Sequence, residues 1–458
     1  MTHLQIIWVI LSAVGILLIL VLKLKINSFV ALLLTAIYVG IITGMPLEAI
    51  LSGIQSGMAG TLGFVAVVVG LGAIFGQMLE SSGGAEILAH RLIGRFGKEK
   101  ASWPMVISGF IIAIPVFFDV GFIIMVPIIY ALSRDSGKSL LYYAIPLLAG
   151  LAVTHSFIPP TPGPVAVADI VGVSLGWVIL FGFLLGIPTA IIAGPLFGKY
   201  IASRIHVQPP EIQPQQIHDT KSEVTFQPSL WIIITIIAIP LFLIVAGTIT
   251  EILLKKEFLQ DYGIFRIIVF LGHPFSALII ATLAAWYFLG IRQGHSRDQL
   301  LNLTNKALAP AGIIILITGA GGVLKQMLVD SGIGEAMADS VVGSGLSPIL
   351  LAWLMAALVR ITQGSATVAM ITAAGLMAPI LSIVTESEMQ RALVVLAIAS
   401  GATILSHVND SGFWLVGKYL GMNEKQTLRS WTMMETLISV CGLVFCLFAD
   451  ILVQMILR

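Results

Sequence analysis

Arg360 has the most chemistry to offer in this chain, because it ends a long apolar run and is followed closely by Gln363, Gly364, Ser365 and Thr367. A guanidinium grips a carboxylate through a two-point fork, and neighbouring amides and hydroxyls supply the neutral donors and acceptors a polyol needs. An arginine at the bilayer centre costs about 2.5–3.5 kcal/mol on insertion scales, so it is a functional candidate by default; the plainer alternative is an arginine near an interface that snorkels to water. A second cluster, Ser406, His407, Asn409, Asp410 and Ser411, lies within SHVNDSGFW in another apolar run. A third, Thr154, His155 and Thr161, lies in THSFIPPTPGP, residues 154–164. Asp119 is the only charged residue between Lys100 and Arg134. Desolvation favours the protonated form of a carboxyl and a nearby cation favours the ionised form, so Asp119 is a candidate proton carrier, with Arg360 as a candidate partner. The alternatives are a static Asp119–Arg360 pair, and polar clusters that only satisfy interrupted helix backbone. Taken together, the residue types suit a small hydroxylated carboxylate.

The elements that must position these groups are membrane helices. The chain has 458 residues, 58% of them hydrophobic and 10% charged, against roughly 25% charged in soluble domains. That composition is expected of a polytopic, all-α membrane protein. A formal net charge of +1 gives no basic bias towards nucleic acid. Cys441 and Cys446 share one apolar segment and read as apolar filler, without a metal pattern or disulfide framework. The first apolar run, residues 4–22, is followed by Lys23 and Lys25 and has no basic stretch before it, which reads as an uncleaved first helix.

Around Arg360 the apolar arms, residues 347–358 and 368–383, each fall short of the ~20 residues a crossing needs. They are expected to form a re-entrant hairpin with VRITQGSAT, residues 359–367, at its tip. A matching hairpin is expected to turn at residues 115–121, PVFFDVG. Four prolines in residues 154–164 remove helix donors, so a broken helix is expected there, resuming near Val165 with its N-terminal dipole towards the cavity. Its counterpart is the break at Ser406–Trp414. The polar stretch carrying QPPEIQPQQ divides the chain into an N-terminal half (1–203), a cytoplasmic linker (204–228) and a C-terminal half (229–458).

The halves repeat. A shift of 249 residues lays Gly70–Ala89 on Gly319–Ala338 with nine identities in twenty positions and no gap. Placing the N-terminus outside puts most of the 24 lysines and arginines in cytoplasmic loops. Both termini are then outside, and the two repeats have inverted topology, each with a re-entrant hairpin and a broken transmembrane helix. Substrate sites of secondary transporters lie between such repeats near the midplane.

FFDVGF at 117–122, PPTPGP at 159–164, GSATVA at 364–369 and SHVNDSGFW at 406–414 resemble the gluconate permease family of sugar-acid proton symporters, and the similarity spans essentially the whole chain. The resemblance implies multi-pass placement in the cell (inner) membrane and uptake of gluconate or a related aldonate with a proton, without a cofactor. It also implies a fold similar to the wider ion-transporter superfamily, with an elevator-like moving domain. Relatives of this kind are associated with idonate, other sugar acids or D-serine, so the substrate stays open, as do a homo-oligomer and sodium coupling through Asn409 and Asp410. From another class, an intramembrane metal hydrolase would use His155, His407 and Asp410, although no HExxH-type motif is present.

Overall fold

The computed structural model describes residues 3–96, 101–209, 228–260, 262–333, 346–384 and 387–457. Among these residues the regular elements are all helices, and eight are long and apolar enough to cross a membrane. With no water to bond free N–H and C=O groups in hydrocarbon, helices of this kind satisfy their backbone internally.

The 249-residue repeat extends over whole elements. It carries the helix Leu47–Ser81 onto residues 296–330, where Arg297–Asp330 is found. It carries the hairpin Ser102–Ile112 and Phe118–Ser136 onto Pro348–Gln363 and Ala366–Val384. The broken helix Leu141–Phe157 and Pro162–Val171 falls on Glu388–Gly401 and Ser411–Tyr419. The stop signals recur too: Gly83 and Gly332 lie at φ +67° and +72°, and Gly172 and Gly421 at +75° and +65°. Glycine adopts this left-handed turn after a helix without the steric cost of a Cβ. The latter part of the twenty-residue match, beyond Ile333, and most of the linker expected at 204–228 lie outside the described residues.

The two long repeat-equivalent helices, Leu47–Ser81 and Arg297–Asp330, pack on each other through small residues. Gly53 meets Met327, Gly57 meets Val323, Leu62 meets Gly319 and Leu308 meets Gly70. Residue numbers rise on one helix as they fall on the other, so the pair is antiparallel. Around it lie Ser28–Ile42, Leu230–Lys255, Gly263–Gly272 and Pro274–Ala285. The hairpins and broken helices form a second group. In each half the first hairpin arm packs on the first piece of the broken helix, while the second arm packs on the second piece from the other half.

Three expectations need adjustment. The helix that ends the second hairpin's first arm continues through Arg360 to Gln363, leaving only Gly364 and Ser365 between the arms. Its second arm has 19 residues and is long enough by composition to span, rather than falling short. The first broken helix resumes at Pro162, not Val165, because prolines are tolerated in a first turn where the missing N–H has no helical partner anyway.

Close approach of hairpin and broken helix is set by Gly109 and Gly150. A Cβ on Gly150 would stand 2.3 Å from the Val106 carbonyl oxygen and 2.7 Å from the Phe110 nitrogen. Gly150→Ala is therefore expected to cost about 1–3 kcal/mol through overpacking, seen as a lower melting temperature in detergent. Gly60→Ala, which meets nothing within 4 Å, should not lower it.

Candidate binding site

Arg360 is placed by an ordinary set of helix signals. Ser347 precedes Pro348 at the first helical position, and Gly364, at φ +85°, ends the helix by donating its N–H to the Arg360 carbonyl at 2.9 Å. Ser365 Oγ then accepts from the Val368 N–H at 3.4 Å and starts the second arm. The Arg360 side chain, 4% exposed, folds back over this turn: one Nη donates to the Gly364 carbonyl, and the other donates to Asp410 Oδ2 at 2.5 Å.

Asp410 carries two loads. Its Oδ1 accepts from the Gly412 N–H at 3.1 Å and caps the helix Ser411–Tyr419. Its Oδ2 takes Arg360 and also the Ser406 hydroxyl at 2.5 Å. Ser406 in turn accepts from Trp431 Nε1 at 2.6 Å. The expected Asp119–Arg360 partnership is thus replaced by an Arg360–Asp410 pair. Asp119 stands in the first turn of Phe118–Ser136, beyond the tip itself, and its side chain is exposed without an ion pair among the described residues.

His407 and Asn409 serve the backbone. His407 Nε2 lies 3.0 Å from the Ile361 carbonyl oxygen, and Asn409 Nδ2 donates to the Ile361 and Thr362 carbonyls at 3.0 and 3.3 Å. These are end-of-helix carbonyls without intrahelical partners. A Cβ on Gly364 would stand 2.2 Å from the Asn409 carbonyl oxygen, so the turn and the broken segment meet backbone to backbone.

A cavity of about 390 Å³ opens at this junction, within the range typical of small-molecule sites. Of the expected residues it is lined by Asp119, His155, Arg360, Gln363, Gly364, Ser365, Thr367, Asn409, Asp410 and Ser411. Both hairpin turns and both broken helices contribute. Four candidates are elsewhere. Thr161 borders a small neighbouring pocket with Pro160 and Phe117. Thr154 is fully buried with its hydroxyl unpartnered. Ser406 stands behind Asp410, and His407 caps the hairpin helix. The cavity also takes in residues outside the sequence candidates: Phe118, Ser156, Thr403, Trp431 and Glu435. Thr403 was findable, since the 249-residue shift makes it the counterpart of Thr154. Glu435 carried no such signal, because it begins an apolar segment six residues after Arg429 and reads as an interfacial charge. No group of three or more His, Cys, Asp or Glu side chains that could hold a metal occurs among the described residues.

A multi-pass helical protein with a polar cavity held between hairpin turns and broken helices belongs to the membrane transporters. The model of the GntP family permeases matches residues 4–453, and the chain belongs to that family. It is 41% identical over 436 residues to a gluconate permease of Pseudomonas aeruginosa, covering 95% of each chain. It is 40% identical over 450 residues to a gluconate permease of Bacillus subtilis, covering 97% of this chain and 99% of that one. To the Gnt-II system L-idonate transporter of Escherichia coli it is 41% identical over 437 residues, covering 95% and 97%. The fold is similar to that of the Alcanivorax borkumensis YdaH transporter, with a TM-score of 0.59 at 15% identity over 85% of this chain and 86% of that one.

Taking away the carboxylate of Asp410 leaves a buried guanidinium uncompensated. Asp410→Asn is expected to cost about 3–5 kcal/mol, and Ser406→Ala, which removes one hydrogen bond to a charged group, about 1.5–3 kcal/mol. Thermal unfolding in detergent should rank them in that order.

Proposed function

We propose that this protein imports gluconate or a closely related sugar acid across the cell membrane by proton symport. The observation that carries this reading is the cavity itself, which sets one guanidinium among neutral amides and hydroxyls between two hairpin turns. Relatives named for gluconate and for L-idonate lie at nearly equal identity, so the substrate class is a polyhydroxy carboxylate. Arg360 holds the carboxylate by its fork, while Gln363, Ser365, Thr367, Asn409 and Ser411 face the hydroxyls. The amino end of Ser411–Tyr419, which borders the cavity, adds a positive dipole suited to an anion.

The charge balance favours a proton as co-substrate. Asp119, Asp410 and Glu435 line the cavity against Arg360, so a further anion adds repulsion unless a cation enters with it. Asp119, exposed and without an ion pair among the described residues, is the group we assign to exchange that proton with solvent. Antiparallel packing of the equivalent long helices supports inverted repeats, and the distribution of lysines and arginines supports both termini outside. In that arrangement the hairpins and broken helices move as a unit against a scaffold drawn from segments 4–43 and 229–291.

Three measurements in proteoliposomes test this. With an imposed inward proton gradient in sodium-free buffer, labelled gluconate should accumulate; accumulation that instead requires sodium would reject the proton. Arg360→Lys keeps the charge but loses the planar fork, so uptake should fall at least tenfold with normal membrane insertion, and near-normal uptake would remove Arg360 from the carboxylate role. Asp119→Asn should abolish proton-driven accumulation while gluconate exchange persists.

A further inference from the structure

Glu435 is a buried acid that the reading above counts but does not use. It stands in the first turn of the last helix, Met433–Leu457, and is 4% exposed. It lines the cavity, and its Oε1 is buried with no hydrogen-bond partner. It lies within electrostatic reach of both Arg360 and Asp410.

The surroundings of Glu435 hold few other charges. Pro348–Gln363 brings Arg360, and Leu141–Phe157 brings His155. Asp410 and Asp119 face it across the cavity. Leu175–Ile191, also packed on the last helix, carries no ionisable side chain. Glu388 and Arg391 of Glu388–Gly401 lie at the far end, because Gln390 bonds Asp450 there. Asp450 is fifteen residues beyond Glu435, or about 22 Å along a helix.

Arg360 is therefore the guanidinium for two carboxyls, the part-buried Asp410 and the buried Glu435. One N–H on each Nη goes to the Gly364 carbonyl or to Asp410, which leaves three of the five N–H groups, the buried and unpartnered Nε among them. Two carboxylates to one guanidinium leave one negative charge in excess in a medium where an uncompensated charge is costly. The arrival of a substrate carboxylate at Arg360 makes the excess two. We infer that Glu435 is the proton-binding carboxyl whose occupancy is tied to that of the substrate. A proton from solvent adds to one oxygen of Glu435 to give the neutral acid as the anion binds, and it is released as carboxylate re-forms when the anion leaves. Asp119 passes the proton to and from water, and Glu435 holds it while substrate is bound. This inference rests on the cavity being the sugar-acid site.

Equilibrium binding of labelled gluconate to the full chain in nanodiscs, from pH 5 to 8, tests it. One linked proton makes wild-type affinity fall as pH rises, approaching tenfold per pH unit. Glu435→Gln should give an affinity that no longer varies with pH, whatever its absolute value, while Asp119→Asn keeps the slope. A wild-type slope in Glu435→Gln, or a slope lost in Asp119→Asn and kept in Glu435→Gln, would overturn the assignment. Should Glu435→Gln not bind, Glu435→Asp decides: it must keep a slope with a displaced midpoint, and a flat profile there also overturns the assignment. Wild type that binds gluconate without any pH slope sinks this inference alone, whereas wild type that binds no gluconate at any pH sinks the reading of the site.

Discussion

The structure depends on the burial of one guanidinium. Arg360 sits in the last turn of a hairpin helix, and the groups that receive it come from the adjoining turn and from a broken helix some fifty residues along the chain. Desolvating a cation costs several kcal/mol unless good geometry and further hydrogen bonds offset it. Asp410 meets that requirement only because Ser406 and the Gly412 N–H hold its two oxygens in place, and Ser406 is itself fixed by Trp431 of the last span. The ion pair thus ties hairpin, broken helix and last helix into one unit. These elements cannot separate without leaving a charge stranded, so separation between them is disfavoured.

Backbone satisfaction reinforces the same joint. A hairpin helix that ends at this junction leaves carbonyls with no helical partner. His407 and Asn409 fill that place for Ile361 and Thr362. Gly364 lets the two backbones touch, since any side chain there would collide with Asn409 and strain the left-handed turn. Polar residues that look like ligands for a small molecule are, in part, the caps that make an interrupted membrane helix tolerable. Asn409 does both, lining the cavity with the same side chain that caps the helix.

This double use explains what could be read in advance. The helical class, the two hairpins and the broken helices follow from apolar length interrupted by prolines and small polar residues, and the repeat follows from the Gly70–Ala89 match. Helix ends were misplaced where a local rule was outweighed: Pro162 and Pro164 look like breakers but sit in a first turn, and the polar run after Val359 looks like loop but stays helical until Gly364. The convergence of Arg360, Asp410 and Asn409 on one cavity was legible because each is polar in an apolar setting. Pairing was not, since nothing in the one-dimensional pattern chooses Asp410 over Asp119 as the acid that meets Arg360. Glu435 stayed hidden for a related reason: at the start of a span, depth cannot be told from the interface without knowing how the helix packs.

The repeat is symmetric in its elements but not in its chemistry. Under the 249-residue shift Arg360 corresponds to Ile111, Asp410 to Thr161, Glu435 to Gly186 and Asp119 to Val368. The first three charged groups all belong to the C-terminal half, and the N-terminal half contributes Asp119 and His155 from across the cavity. A repeated scaffold does not require two equivalent sites. Concentrating charge in one half gives the cavity a single guanidinium, and the opposing half adds the carboxyl of Asp119. Asp410 is fixed by Arg360, the Ser406 hydroxyl and the Gly412 N–H, whereas Glu435 in the same half and Asp119 in the other stand outside ion pairs among the described residues, so what separates fixed from free acids is each acid's own surroundings and not the half that carries it.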